Sequence, residues 1–316
     1  MGFAVCDEAC KPLYQFAPPQ NQYYFSLPRL ERLVVGSANG LLLAWDGYDD
    51  ILFVCNPFTS EYIELPRLPL GICITGFGVS KISGQYKILC GNQNHRSYHV
   101  YTLGRGGGCW RSIAVAPTCG SIVSRNNVGV FFNGNLHWLA LGLASNWHIR
   151  WSDLEKSIVV CCFDLETELF TSFSLPPRDN SNEHNRNWMC VRGDYQLCVL
   201  EDRLCLCNSI KYPFIVIWSM NIYGDTNSWV KAYTIERPQI GEVVFPLKAF
   251  ANGDLFFAVN TDNQVFTYNK NTNECLVSNG LLDRCDSKFY NIVTYIPSFL
   301  SLAAMGIPNV KSLSFY

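Results

Sequence analysis

Histidine and cysteine are the residues of this sequence best suited to bind a metal, and their spacing argues against it. His95 and His99 are four positions apart, which places two ligands together on a helix but further apart on a strand. No Cys-x-x-Cys pair is present to supply a zinc site. The five histidines are His95, His99, His137, His148 and His184. We therefore predict neither a metal site nor a cofactor.

Two loops share only their composition with ligand-binding loops. The segment 46–50 holds three aspartates, but it lacks the closing acidic ligand of a calcium loop. The glycine-rich segment 104–108 is followed by strand-like sequence, whereas a phosphate-binding loop leads into a helix. We interpret the first as the solvated tip of a hairpin and the second as a hairpin turn.

Fifteen cysteines raise the question of disulfides. Their number is odd, no export signal precedes them, and many lie in apolar runs such as the VVCCF that holds Cys161 and Cys162. A free thiol packs in such a run as a small hydrophobic group. We expect free thiols in a reducing compartment, in the cytoplasm and/or the nucleus.

Composition excludes two classes of partner. The net charge is -2 and no basic cluster occurs, which argues against nucleic-acid binding. The longest apolar runs have the length of a buried strand and fall short of the roughly 18 residues that a membrane span needs. We predict a soluble protein that contacts neither nucleic acid nor membrane.

A repeated pattern predicts the fold. Four segments begin at a turn that carries Asn-Gly or Asp and continue at once into an apolar run; Asn-Gly favours the tight turn between two strands. They are NGLLLAW at 39–45, NGNLHWLAL at 133–141, EDRLCLC at 201–207 and NGDLFFAV at 252–259. We expect these apolar runs to be the innermost strands, lining a central channel.

A second strand pair follows each of these segments and occurs once more, so that the pattern recurs every roughly 45 to 60 residues, as in propeller blades. GFGVSKISGQYKIL, residues 76–89, adds two strands around a Ser-Gly turn. Residues 291–302 are predicted to be a strand broken at Pro297 that closes the ring. We predict an all-β propeller of antiparallel four-stranded blades, about six in number, over residues 39–316, preceded by an N-terminal extension over residues 1–38.

Catalysis is disfavoured, because the predicted channel strands carry almost no acid or base. His137 is the exception, and we interpret it as a core histidine with satisfied hydrogen bonds. No Gly-x-Ser-x-Gly motif is present. A propeller enzyme of the glycosidase or lyase kind stays open as an alternative, to be tested by looking for acids and histidines in the channel.

Binding of another protein is the preferred hypothesis. Trp147, His148, Arg150 and Trp151 combine aromatic rings with a guanidinium in one predicted loop, a composition enriched in interface hot spots. A carbohydrate-binding propeller is the other alternative, with tryptophans that could stack on sugars. Those tryptophans are Trp110, Trp138, Trp147 and Trp229.

The ordered succession of several blocks resembles the F-box-associated domain of plant F-box proteins, of the kelch-like and S-locus F-box type. The blocks run from NGLLLAWDGYDDILFVCNPFTSEYIELP through YTLGRGGGCWRSI, NGNLHWLA, FDLETELFTSFSLP and CVLEDRLCLC to YIPSFLSL. The resemblance covers about residues 39–313. CNPFT alone is modestly specific, whereas the order of the blocks is strongly so.

The resemblance implies the substrate-recognition part of an SCF-type ubiquitin ligase. The partner would be a protein targeted for ubiquitination, and no residue here would be catalytic. A Skp1-type adaptor would bind only through an F-box, and the sequence shows no such motif before its propeller. We expect a form without the F-box to bind the target without delivering it, as a competitor.

Overall fold

The computed structural model consists of antiparallel strands, with one 3₁₀ helix (Thr226–Ser228) among the described residues. The structure describes residues 3–6, 12–17, 32–46, 51–68, 73–92, 97–105, 108–113, 119–122, 128–142, 158–177, 195–209, 214–236, 244–259, 264–277 and 293–315. The strands are β1 (Phe3–Cys6), β2 (Pro12–Ala17), β3 (Arg32–Ala38), β4 (Leu41–Asp46), β5 (Ile51–Asn56), β6 (Glu61–Glu64), β7 (Cys73–Val79), β8 (Tyr86–Asn92), β9 (Ser97–Thr102), β10 (Arg111–Ile113), β11 (Cys119–Ile122), β12 (Val130–Phe132), β13 (Asn135–Gly142), β14 (Ile158–Asp164), β15 (Phe170–Ser174), β16 (Tyr195–Leu200), β17 (Arg203–Asn208), β18 (Phe214–Met220), β19 (Trp229–Glu236), β20 (Val244–Ala249), β21 (Leu255–Val259), β22 (Gln264–Asn269), β23 (Glu274–Val277), β24 (Lys311–Ser312) and β25 (Ser314–Phe315).

Five blades account for most of these strands, and within each blade the strands pair in sequence order. Blade 1 contains β3 to β6 with β24 on its outer edge, and blade 2 contains β7 to β10. Blade 3 contains β13, β14 and β15, with β11 and β12 both paired to β13. Blade 4 contains β16 to β19, and blade 5 contains β20 to β23. This confirms the all-β propeller of antiparallel blades.

The structure corrects the predicted number of blades from about six to five in the described part of the chain. The prediction took the segment 291–302 as a strand of a closing blade, but residues 293–302 contain no strand. Residues 293–313 instead run across blade 1, where β24 pairs with β6, and we call them the strap. β1, β2 and β25 form a separate three-stranded sheet. Residues 291 and 292 lie outside the described part, and the predicted boundary at residue 38 stays a prediction.

The innermost strands also differ from the prediction. β3, β7, β12, β16 and β20 are the strands that pack against the neighbouring blades at the centre. The apolar runs β4, β13, β17 and β21 lie second in each blade. A second strand is covered on both faces by neighbouring blades, and this is why it is continuously apolar. The inner strands come close together and use small residues: a Cβ on Gly78 would lie 2.4 Å from the ring of Phe131.

The hydrophobic core lies between the blades rather than in one central cluster. Blades 1 and 2 share a cluster around Leu43, Val54 and Ile88. Further clusters join blade 2 to blade 3, blade 3 to blade 4, and blade 4 to blade 5. A fifth cluster packs the other face of blade 1 against Leu313, with Val293 and Tyr295 at its edge. The strap therefore covers a blade face.

The cysteines largely match the prediction, with one correction. Nine of those described are free thiols, and most of them are buried. Cys161 is disulfide-bonded, which contradicts the expectation that all cysteines are free. Two other loop predictions lie partly outside the described residues, 46–50 beyond Asp46 and 104–108 at 106 and 107, and they stay predictions; the strands before and after each segment, β4 with β5 and β9 with β10, pair antiparallel. Within the described residues no helix is long and apolar enough to cross a membrane.

Candidate functional site

The predicted partner-binding residues Trp147, His148, Arg150 and Trp151 belong to the segment between β13 and β14, which lies outside the described residues. β13 ends at Gly142 before that segment, and β14 begins at Ile158 after it. Both residues lie at one end of blade 3, and the turn between β14 and β15 lies at the other end. Their assignment to an interface stays a prediction.

Two of the tryptophans proposed to stack on sugars are buried. Trp138 is 1% exposed and Trp229 is 5% exposed, so neither ring can meet a ligand from solvent. The indole N–H of Trp110 donates to the main-chain oxygen of Pro66 at 2.8 Å, and its ring packs on Tyr101. Packing holds these three residues, which removes most of the basis for a carbohydrate site; Trp147 lies outside the described residues.

His137 is a core histidine, as predicted. It is fully buried in β13; its Nε2 lies 2.8 Å from the hydroxyl of Tyr223 and its Nδ1 lies 3.3 Å from the main-chain oxygen of Val130. Because the Val130 oxygen can only accept, Nδ1 carries the proton and Nε2 accepts from the tyrosine. Burial lowers the pKa of His137 to about 4. The imidazole is therefore neutral and occupied on both nitrogens.

Tyr223 connects blade 4 to blade 3 through this histidine. Its ring packs edge-on against Phe132 and its hydroxyl lies 3.7 Å from the Sγ of Cys162. Burial raises the pKa of Tyr223 and also that of Cys162. No group in this cluster is charged near neutral pH, so it acts as a polar contact between blades and not as an acid or base.

A charged cluster joins blade 2 to blade 3. Lys87 is 5% exposed, and its Nζ lies 2.8 Å from the carboxylate of Glu168 and 2.5 Å from the main-chain oxygen of Leu165. Arg111 donates to the same carboxylate. Burial raises the pKa of Glu168, but the hydrogen bonds from Arg111 and Lys87 outweigh it and the net shift is downward. All three charges have partners, so this cluster too is structural.

The turn between the third and fourth strands recurs with a side-chain oxygen at its start. Asn56 accepts from the main-chain N–H of Phe58 at 2.9 Å, and Asp164 accepts from that of Glu166 at 2.7 Å. Asn269 accepts from the main-chain N–H of Asn271 at 2.9 Å. Such Asx turns replace main-chain hydrogen bonds that the chain loses where it reverses. The sequence carries this repeat as N-x-x-T or D-x-x-T, a signal that could have located these turns in advance.

Asn56 differs from the other two because it also holds the strap. It is fully buried, and its amide donates to the main-chain oxygen of Ser298 at 3.0 Å and to that of Leu300 at 2.6 Å. The hydroxyl of Tyr295 lies 3.1 Å from the Asn56 Oδ1, so the tyrosine donates to it. One buried side chain thus fixes a turn of blade 1 and a segment more than 240 residues later.

The strap is held by further contacts on both sides of this point. The carboxylate of Glu61 accepts from the Ser301 hydroxyl at 2.8 Å and from the Leu302 main-chain N–H at 2.6 Å. Lys311 lies 2.6 Å from Glu64. Within the strap, the side chain of Leu302 is fully buried. The main-chain path on either side of Phe299 is therefore fixed.

An exposed apolar surface results from this arrangement. Phe299, between the two carbonyls held by Asn56, is 85% exposed, and Ile296 is 78% exposed. Phe58, placed by the Asx turn, is 41% exposed and meets Phe299 edge-to-face with ring centroids 4.7 Å apart. We call Phe58, Ile296 and Phe299 the strap surface. A large apolar group on a protein surface, held in place by buried hydrogen bonds, is suited to contact another protein.

The antiparallel blades and the cores between them define a β-propeller, and comparison with known proteins gives its family. Residues 16–302 match the F-box associated beta propeller domain. The chain belongs to this family, as the resemblance in the sequence indicated.

The curated relatives are F-box proteins of Arabidopsis thaliana. The chain is 28% identical to F-box protein At3g07870 over an alignment of 241 positions that covers 66% of this chain and 52% of that protein. It is 27% identical to F-box protein At1g47340 over an alignment of 336 positions that covers 93% of this chain and 67% of that protein. The chain spans about half the length of the first curated relatives it matches. Among solved structures, a virginiamycin B lyase from Staphylococcus aureus aligns at 11% identity with a TM-score of 0.45, covering 94% of this chain and 82% of that one.

Proposed function

We propose that this chain is the target-binding propeller of an F-box protein, which selects a protein for ubiquitination by an SCF-type ligase. Membership of the F-box associated family and the F-box relatives support the proposal. In such a ligase the catalytic steps belong to other subunits, so the propeller itself would not be an enzyme. A Skp1-type adaptor would bind the F-box of the full-length protein. We place this activity in the cytoplasm and/or the nucleus.

The strap surface is the observation that carries the proposal. Phe58 and Phe299 are aromatic, exposed and already paired, and the strap is held by a buried residue, so little side-chain entropy is lost when a partner covers them. Aromatic residues dominate interface hot spots, where truncation costs about 2 kcal/mol or more of binding free energy. We propose an apolar segment of the target protein as the group that covers this surface.

The predicted residues Trp147 and Trp151 supply a second proposed contact region. Because they belong to the segment between β13 and β14, they can be tested apart from the strap surface. A target that loses affinity only on substitution of these tryptophans would bind through that segment, and one that loses affinity only on substitution of Phe299 would bind through the strap.

The test is capture of partners with matched variants of the full chain. The wild-type chain, the F299S variant, the W147A/W151A double variant and the L276S variant are used as bait in parallel. Leu276 is 62% exposed on β23 of blade 5, so L276S removes an equally apolar side chain elsewhere. We expect a protein retained by the wild type and by L276S and lost from at least one of the other baits. Purified, it should bind the chain directly with the same ranking of variants.

The ligase context has its own test. The chain joined to an F-box is expected to assemble with a Skp1-type adaptor and to promote ubiquitination of the captured protein, and the chain alone is expected to inhibit that reaction. If the joined form recovers the adaptor but leaves every direct binding partner unmodified, the ligase proposal fails while the protein-binding proposal stands. If no protein binds the purified chain directly, both fail.

A further inference from the structure

Two free cysteines face each other across the first two strands of blade 4. Cys198 in β16 is the direct partner of Cys205 in β17, and the same row continues to Ser219 in β18. A two-residue turn joins β16 to β17, so Leu200 and Arg203, the pair next to the turn, are hydrogen-bonded to each other through their main chains. Hydrogen-bonded and non-hydrogen-bonded pairs alternate along an antiparallel ladder, and Cys198 and Cys205, two positions further on, are therefore a hydrogen-bonded pair again. Cα atoms in such a pair lie about 5.5 Å apart. Disulfides span Cα distances of about 4.4–6.8 Å, so the Cα separation of this pair suits one. Directly opposite Cβ atoms lie about 4.5–5.5 Å apart, against about 3.5–4.5 Å in a disulfide, so the two strands must draw together slightly and the bond would be strained and easily reduced.

The two thiols already contact each other. The hydrogen bond that joins them raises the pKa of Cys198, and burial adds to this effect. The same hydrogen bond lowers the pKa of Cys205, with a further contribution from Ser219, and together these outweigh burial. The Cys205 Sγ also lies 3.6 Å from the main-chain oxygen of Arg203. Burial raises the pKa of Cys55 and that of Cys275. Cys205 differs from these two thiols because its pKa is lowered although it is buried.

Cys207 provides an internal comparison. It lies two residues after Cys205 on the same face of β17 and is just as buried, at 1% exposure against 2%. Its partner across the strands is Gln196, which carries no sulfur. Cys205 and Cys207 are therefore similar in burial and in their distance from Cys198 along the chain. Only Cys205, of these two, has a thiol directly opposite it on β16.

We propose that Cys198 and Cys205 form a redox modification site that peroxides convert to a disulfide within blade 4. The Cys205 sulfur attacks one oxygen of hydrogen peroxide; an S–O bond forms, the O–O bond breaks, and the other oxygen leaves as water with the thiol proton. The Cys198 sulfur then attacks the sulfenic sulfur of Cys205; the S–S bond forms, the S–O bond breaks, and a second water leaves. Two sulfurs lose two electrons in total, and the peroxide gains them.

The cross-link would tie the innermost strand of blade 4 to the second one. It would close a short ring around the turn at Glu201 and Asp202, both of which have positive φ angles, 48° and 54°. Cys198 keeps 8% of its surface exposed, so we expect the oxidation to be slow in the folded protein and to follow local opening of the strand. Thiol reductants would reverse it.

Peptide mapping tests the proposal in the wild-type chain. Trypsin cleavage at Arg203 separates the peptide 193–203, which holds Cys198, from the peptide 204–211, which holds Cys205 and Cys207. After hydrogen peroxide is applied to the folded chain, we expect these two peptides to be linked with a loss of two hydrogens, and fragmentation to place the bond at Cys205. Reduction should separate them again.

Variants identify the attacking sulfur. C207S should form the link as the wild type does, and C205S should not. In C198S, Cys205 should accumulate sulfenic acid that dimedone labels, whereas in C205S we expect at least tenfold less label on Cys198. In denaturant, Cys207 should compete equally with Cys205. The proposal is overturned if the folded wild type yields no linked peptides, or if the bond forms through Cys207; this outcome needs no variant to fold.

Discussion

The side-chain amide of Asn56 donates a hydrogen bond of 2.6 Å to the main-chain oxygen of Leu300, across 244 residues of sequence. The same side chain accepts from the N–H of Phe58. A single buried residue therefore closes blade 1 against the strap and positions both aromatic rings of the strap surface. Stability and the proposed binding surface are coupled at this position.

Replacing Asn56 with alanine tests that coupling. Asn56→Ala leaves the half-buried main-chain oxygens of Ser298 and Leu300 without their donor, and a polar group that is kept from water without a partner costs about 1–3 kcal/mol. We expect the free energy of unfolding to fall by about 2–4 kcal/mol in chemical denaturation. Phe299 should also become more mobile, which hydrogen exchange across residues 296–302 would detect.

The matched control for Asn56 is Asn269→Ala. Asn269 has the same role in the turn of blade 5, where it accepts from the N–H groups of Asn271 and Thr272. It does not hold the strap in the described structure, so its removal should cost only about 1 kcal/mol, the worth of a typical hydrogen bond. Equal losses for the two variants would contradict the role of Asn56 as a clamp.

Relief of the strained turn in blade 4 is predicted to raise the free energy of unfolding. Asn-Gly forms this turn in blades 1 and 3, but Glu201 and Asp202 occupy it in blade 4 with both φ angles positive. A side chain in this region costs roughly 1–2 kcal/mol relative to a residue that tolerates it. We expect E201N/D202G to raise the free energy of unfolding by about 1 kcal/mol, because glycine also gives up some backbone entropy.

A surface substitution elsewhere controls for the effect of removing an acidic charge, of which the double variant removes two. Glu274 is exposed at the start of β23 and is absent from the positions with positive φ. Glu274→Asn should leave the midpoint of denaturation unchanged. A rise as large as that of E201N/D202G would mean that charge, rather than backbone strain, is the cause.

His137 predicts how stability depends on pH. Burial holds its folded pKa near 4, below the ordinary 6.5, so folding favours the neutral ring. This contribution is complete above pH 6.5 and is lost as the pH falls toward 4. It amounts to about 3 kcal/mol, since a tenfold change in proton affinity between the folded and unfolded states is worth ~1.4 kcal/mol.

Measured between pH 7 and pH 4.5, the wild type should lose stability from this group with a slope that approaches about 1.4 kcal/mol per pH unit. His137→Asn, which cannot titrate, should have a flatter profile over the same interval. The carboxylates of Glu166 and Glu168 have lowered pKa values, so the stability that they contribute is lost mostly below pH 4.5, and this loss is the same in both proteins. Parallel profiles for the two proteins would show that His137 protonates freely in the folded state.

Sequence patterns predicted the propeller because each blade repeats the same local turn and strand signals. Asn39-Gly40 and Asn133-Gly134 take the positive φ angles expected of tight turns. The order of strands from the centre outward was not predictable in this way, since hydrophobicity does not separate the innermost strands from the second ones. β4 is more apolar than the innermost β3, whereas β8 is no more apolar than the innermost β7. Burial on both faces, rather than nearness to the axis, sets hydrophobicity. The pattern predicted the wrong strands for the channel for that reason.

The strap surface could not be predicted from the sequence for a different reason. Phe299 and Phe58 are far apart in sequence, and nothing local to either indicates that they meet. The turn signal at Asn56 was present in CNPFT, but its hydrogen bonds to Ser298 and Leu300 depend on how the chain closes. The sequence instead drew attention to Trp147 and Trp151, whose composition alone suggests an interface.

Phe299 itself should separate binding from stability. Because 85% of its side chain is exposed, Phe299→Ser removes little buried area, and we expect the free energy of unfolding to change by no more than about 0.5 kcal/mol. Its loss from a hot spot would weaken target binding by about 2 kcal/mol, which is roughly 30-fold in the dissociation constant. Asn56→Ala should weaken binding as well, but together with a loss of stability. If Phe299→Ser binds the captured target as tightly as the wild type and Asn56→Ala does not, the strap would support the fold without forming the contact surface.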